Sequence, residues 1–180
     1  DKSQANVGGI RPDSDVHNSE WDIATLTIDW TIGEHTLKSV TGYVDYQFDN
    51  YLDTDSSPLR MLGRARAETH KQFSQAFILP SPTGGTLEYL AGLYYQDEDL
   101  EHERFTDAIF SAGGFFGGAF DGTGSAAFQQ DAETWSTFVQ LTWHVSDAFR
   151  VIGGLRFSDD QKEFEKHLYV NDPFTFDRNT

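Results

Sequence analysis

Apolar and polar residues alternate with period two along most of the chain, the mark of β-strands. The alternation predicts six strands, near residues 21–32, 36–48, 70–79, 86–98, 134–145 and 149–160. Helical periodicity is nearly absent. Its best candidate, Arg64-Ala65-Arg66-Ala67-Glu68, is short and falls between strands. Connections alternate in length. Gly33-Glu34-His35, the Pro80–Gly85 stretch and Ser146-Asp147-Ala148 read as tight turns, since Pro fixes φ and Gly admits φ > 0. Segments 49–69, 99–133 and 161–180 read as long loops. Tight turns at one end and long loops at the other are the layout of an outer-membrane barrel, whereas soluble sandwiches mix loop lengths at both ends.

Taking the more apolar parity of each strand gives an uncharged face. It holds Leu26, Ile28, Trp30 and Ile32, then Val40, Gly42, Val44, Tyr46 and Phe48, then Phe73, Gln75, Phe77 and Leu79. Odd-numbered positions from Leu87 to Tyr95, Thr137 to Val145 and Phe149 to Phe157 complete it. The opposite face carries Asp29, Asp45, Glu88, Arg150 and Arg156 among Gln, Ser and Thr. Lipid predicts this contrast, because Arg or Lys facing the bilayer midplane costs roughly 2–4 kcal/mol. Aromatic residues gather near both strand ends: Trp30, Tyr89, Trp143 and Phe149 by the turns, Tyr46, Phe48, Tyr95, Trp135 and Phe157 by the loops. Amphipathic rings favour the two membrane interfaces.

Six strands cannot close a membrane barrel, and an open edge in lipid leaves backbone groups without partners. The sequence is therefore read as all-β: about six antiparallel up-and-down strands of a larger transmembrane barrel. A soluble secreted β-sandwich acting as a binding module, or another outer-membrane barrel such as a passive channel, are the alternatives. No charged segment followed by an apolar one stands ahead of the body, and the sequence is expected to start within a longer chain.

Composition narrows the classes further. Thirteen Lys and Arg stand against 29 Asp and Glu, a net charge of -16. That balance argues against nucleic acid as a partner, because phosphate binding needs a cationic surface. The absence of cysteine excludes disulfides, Cys-ligated metal and thiol catalysis. A mean hydropathy of -0.51 fits no helical membrane protein.

The segments Leu79–Tyr95, Thr134–Asp147 and Gly153–Ser158, together with Ser39-Val40-Thr41-Gly42-Tyr43 and the Leu52–Pro58 loop, resemble the strands and hairpins of TonB-dependent outer-membrane receptors. The resemblance spans most of residues 21–165. It implies a plugged barrel of roughly 22 strands, located in the outer membrane of a Gram-negative bacterium. Such a receptor imports a scarce nutrient, siderophore-bound iron, cobalamin or an oligosaccharide. The implied partners are outer-membrane lipid, an N-terminal plug domain and the remaining strands, the TonB energy-coupling complex reached through the plug, and a small-molecule ligand. Residues 1–180 would form one partial barrel domain. Ala76 and Ile78 depart from the family, which often carries Glu and Arg at such lumen positions.

Candidate chemistry is sparse. No HExxH, nucleophile elbow or comparable spacing occurs among the histidines and serines, so no catalytic residue, cofactor or metal site is expected and the chain is not read as an enzyme. The acidic Asp53-Thr54-Asp55-Ser56 stretch reads as a solvated loop. Tyr43, Asp45, Gln47, Tyr94, Gln96, Gln140 and Arg156, on the expected lumen face, are candidates for contact with a passing solute or with the plug. Phe115 and Phe116 lie in a Gly- and Phe-rich stretch between Phe105 and Phe128. It would serve as a lid over a ligand or pack on neighbouring loops.

Overall fold

The computed structural model describes residues 16–54, 61–114 and 121–171. They form one antiparallel sheet of six strands in sequence order: β1 (Val16–Ile32), β2 (His35–Asp53), β3 (Leu62–Pro80), β4 (Leu87–Ala108), β5 (Gly122–Ser146) and β6 (Phe149–Asn171). The sheet is a single open layer, and among the described residues no large apolar side chain is buried. The β1–β2 turn uses Gly33 at φ 64°, a left-handed conformation that favours glycine. A one-residue bulge between His144 and Ser146 leads into the β5–β6 turn.

The strands are longer than the alternation alone predicts. β5 has 25 residues and β6 has 23, whereas about 9–11 cross a bilayer. All the extension lies at the loop end. Residues 49–53, 62–69, 99–108, 122–133 and 161–171, read above as loops, continue the ladders. Beyond the apolar zone polar residues stand on both faces, so period two leaves little contrast in hydropathy even though the backbone pairing runs on. The candidate helix at 64–68 lies within β3 for the same reason. In the Gly- and Phe-rich stretch, Phe105 ends up in β4 and Phe128 in β5, with a short 3-10 helix at Phe110–Gly113. Phe115 and Phe116 lie outside the described residues, as do Asp55 and Ser56.

Register fixes the faces, because directly paired residues share one side of the sheet. Tyr43 pairs with Phe73, Gln75 with Tyr95, Tyr95 with Trp135 and Thr137 with Phe157. On β1, Ile28 pairs with Ser39 and Trp30 with Leu37. The expected apolar parity therefore holds for five strands and is reversed for β2. Val40, Val44, Tyr46 and Phe48 pair with Ala76, Gln72, His70 and Glu68 on the polar face. The misassignment has a physical source. The inward side of β2 is its more apolar one, where Tyr46 packs on Trp21 (ring centroids 4.1 Å apart) and Phe48 meets His17 edge to face (5.1 Å).

Corrected in this way, the apolar face has no Asp, Glu, Lys or Arg over a continuous band. The band runs from Ala24–Ile32 and His35–Tyr43 through Phe73–Leu79 and Leu87–Tyr95 to Trp135–Trp143 and Phe149–Phe157. Its side chains are the more exposed: Leu93 is 56% exposed, Leu155 80%, while Ser136 on the other face is 5% exposed. Crowding of the polar face is what the inner side of a curved sheet shows.

Candidate functional site

The upper edge of the apolar band is a row of rings: Tyr43, Phe73, Tyr95, Trp135 and Phe157. Relative to the register, this row steps two residues toward the short turns at every second strand, at β3–β4 and again at β5–β6. The first outward charges beyond it, Asp45, Lys71, Asp97, Glu133 and Asp159, take the same steps. One residue per strand, at about 3.3 Å rise and about 4.8 Å strand spacing, inclines the strands by about 35° to the normal of that row. Barrel strands tilt by roughly 35–45°. From Trp135 to Trp143 the band is then about 22 Å tall, against about 25 Å for a barrel's apolar belt.

Local chemistry fits lipid on this side. Gln75 is the one large polar residue in the band on β3. Its Oε1 accepts from Thr41 Oγ1 at 2.6 Å and its Nε2 donates to Ser39 Oγ at 2.9 Å. Polar groups facing hydrocarbon need such internal partners. At the upper row the Trp135 indole N–H donates to Glu133 at 2.6 Å, pointing its polar end toward water.

The inner face is polar and cross-linked. Tyr94 Oη donates to Gln96 Oε1 at 2.6 Å, Gln96 Nε2 donates to Glu98 Oε2 at 3.1 Å, and His70 Nε2 lies 3.3 Å from Glu98. Arg156 Nη2 donates to buried Ser136 Oγ at 3.0 Å and its Nε to Ser158 Oγ at 3.2 Å. Lys38 pairs with Asp29 at 3.4 Å. Gly92 sits where a Cβ would collide with the Phe138 ring, so the aromatic packs directly on backbone.

The candidate contact residues divide between the faces. Tyr94, Gln96, Gln140 and Arg156 point inward, and the first two are joined by a hydrogen bond. Tyr43, Asp45 and Gln47 point outward with Phe73 and Lys71, a correction that follows from the β2 register. Tyr43 belongs to the ring row and donates to Asp45 at 3.3 Å.

Charge is segregated by face. Lys38, Arg64, Arg66, Arg104, Arg150, Arg156, Lys162 and Lys166 point inward, and Lys71 alone among the described Lys and Arg points outward. Of the strand carboxylates only Asp29, Glu68, Glu88, Glu98 and Asp160 point inward. The sequence reading missed this because most of the residues concerned stand in segments it took for loops. Their odd-even separation by sign was the available signal. Among the described residues no group of three His, Asp or Glu side chains is placed to hold a metal ion.

Between β4 and β5, Asp121 closes the connection. Its carboxylate accepts from the Ser111 hydroxyl and from the Ser111 backbone N–H, the latter at 2.9 Å. The hydroxyl foremost, then the N–H, hold the Asp121 carboxyl below the usual carboxylate range.

A family model described as "TonB dependent receptor-like, beta-barrel" matches residues 2–180. No curated protein sequence matches the chain. Among solved structures, the sheet is similar to the ferric yersiniabactin uptake receptor FyuA from Yersinia pestis, with a TM-score of 0.63 and 17% identity. That match covers 86% of this chain and 25% of FyuA, so the chain spans about a quarter of that receptor's length. The siderophore receptor PiuA from Acinetobacter baumannii also matches, with a TM-score of 0.43 and 11% identity, over 86% of this chain and 30% of PiuA.

Proposed function

The chain belongs to the TonB-dependent receptor-like β-barrel family, and from that premise we propose that it is a wall segment of an outer-membrane active transport receptor. In this reading residues 1–180 are one partial barrel domain, closed by further strands and filled by a plug. The TonB complex, acting on the plug, drives uptake of a scarce nutrient such as siderophore-bound iron, cobalamin or an oligosaccharide. The segment supplies lipid-facing wall, a long extension beyond the membrane and a polar inner surface. It performs no chemistry on the ligand.

The observation that carries this reading is the inclined boundary of the uncharged band. Rings and first outward charges step together across five strands, as a flat membrane surface cutting tilted strands requires. Inward-pointing Tyr94, Gln96, Gln140 and Arg156 then line the lumen, where they meet the plug or the passing solute. The test is uptake by cells expressing the complete receptor, offered ferric chelates, cobalamin and oligosaccharides in turn. Accumulation that stops when TonB is deleted supports the proposal. Uptake indifferent to TonB, as through a passive channel, overturns it.

A further inference from the structure

Three guanidinium groups share two adjacent rows of the inner face near its loop end. Arg66 on β3 stands directly opposite Arg104 on β4, and Arg64 lies two residues further along β3. Like charges placed opposite each other destabilise a strand pair unless something neutralises them. Among the described residues nothing in their rows does. The Arg66 row continues to Asn50 on one side and Ala126 on the other, and the Arg64 row runs through Leu52, Thr106 and Gly124. Glu68, an inward carboxylate two residues from Arg66 on β3, is engaged by His102 Nδ1 at 3.2 Å. The Nε atoms of Arg64 and Arg66 are buried and have no hydrogen-bond partner.

The surroundings supply apolar contact. Phe128 stacks on His102 at 4.8 Å and packs on Phe164 at 5.7 Å, all on the inner face beside the arginines. Arg66 is seven residues beyond Phe73 of the ring row, about 19 Å higher along the membrane normal at about 2.7 Å per tilted residue. That height sets it in the extracellular extension, on the route into the lumen. Outside, the charged residues of the same stretch of wall are acidic apart from Lys71, with Asp97, Asp99, Glu101 and Glu103 at successive outward positions on β4.

We propose that Arg66 and Arg104, assisted by Arg64, form an anion-binding entry site that admits solutes bearing carboxylate or similar oxyanion groups. Guanidinium forks bind such groups in bidentate fashion, and an anion between Arg66 and Arg104 removes their mutual repulsion. The acidic outer wall repels the same solutes, so they concentrate only inside. The proposal rests on the receptor reading and narrows its substrate class to anions.

Neighbouring residues on opposite faces provide a test that needs no knowledge of the natural ligand. Ala126→Cys places a thiol on the inner face in the Arg66–Arg104 row; Ala127→Cys places one on the outer face beside Glu103. Each is introduced into the complete receptor in outer-membrane vesicles, on a background without other accessible cysteine. Modification rates are compared for anionic sulfonatoethyl and cationic trimethylammonioethyl methanethiosulfonate.

At position 126 the anionic reagent is expected to lead by about tenfold at low salt. The lead should shrink toward unity in molar salt, which screens the field. Combining Arg66→Gln with Arg104→Gln should abolish it, and Lys71→Gln should leave it intact. At position 127 the cationic reagent should lead. Equal rates at position 126, a cationic lead there, or a lead that survives removal of both arginines would overturn the anion site. An anionic lead of the same size at both 126 and 127 would instead overturn the two-faced barrel wall, and with it the receptor reading.

Discussion

Val139→Arg puts a guanidinium at the middle of the uncharged band. Val139 is 40% exposed on the outer face, four residues from Trp135 and four from Trp143. At about 2.7 Å of height per tilted residue it sits about 11 Å from each ring level, too deep for a short snorkel to water. Arg at the midplane of a barrel's lipid face costs about 2–4 kcal/mol, equivalent to about 30- to 1000-fold in the folding equilibrium. Gln140→Arg adds the same group one residue away, on the polar inner face, and should stay within about 0.5 kcal/mol. The assay is urea-driven unfolding of the complete receptor in phospholipid vesicles, followed by heat-modifiable migration on gels. The Val139 variant should unfold at clearly lower urea while the Gln140 variant tracks the wild type. Equal midpoints for the two variants would refute the face assignment.

Other outcomes follow from particular contacts. Gly92→Leu should lower the unfolding midpoint strongly, because a Cβ collides with the Phe138 ring, and Phe138→Ala in the same chain should restore part of the loss by removing that ring. Gln75→Leu leaves the Thr41 and Ser39 hydroxyls without their partner in the lipid band, a loss of about 1 kcal/mol readable in the same unfolding assay. Because the Asp121 carboxyl is held below the usual range, its closure of the β4–β5 connection favours the ionised form. The contact is complete at neutral pH and is lost as pH falls through the lowered value. Protection of the Ser111 amide, its exchange rate divided into the intrinsic rate at each pH, should fall across that acid window, and Asp121→Asn should show weak protection already at neutral pH.

The membrane-crossing part of the fold was legible because lipid imposes a one-sided penalty, and alternation records it. Leu87–Tyr95 and Trp135–Trp143 illustrate this: their odd positions are apolar but for Thr137, while their even positions mix Glu88, Ser136, Gln140 and Thr142 with Leu90 and Phe138. β2 resisted because Tyr46 and Phe48 join an inner aromatic cluster with Trp21, so the strand's more apolar side faces inward. Only the register with Phe73 and Gln72 decides its parity. The extensions resisted for the opposite reason. From Asp97 to Asp107 and from Thr123 to Glu133 both faces are wet, and pairing there is a backbone property that side-chain hydropathy does not encode. Charge sign does encode it: Arg64 and Arg66 alternate with Ala65 and Ala67, and from Asp99 to Asp107 on β4 the acidic residues occupy odd positions while His102 and Arg104 fall on even ones. The anion-attracting surface lay in that second pattern.

Everything depends on hydrocarbon covering the odd-numbered side of β5. Spin labels placed singly at residues 131 to 145 of the complete receptor in vesicles would measure this directly, through collision with oxygen, which enriches in lipid, and with a water-soluble nickel chelate. Oxygen access should peak at 137, 139, 141 and 143 and dip at the even positions between, and labels at 131 and 133 should collide with nickel instead. A profile without period two, or nickel access at 139 equal to that at 131, would contradict the account.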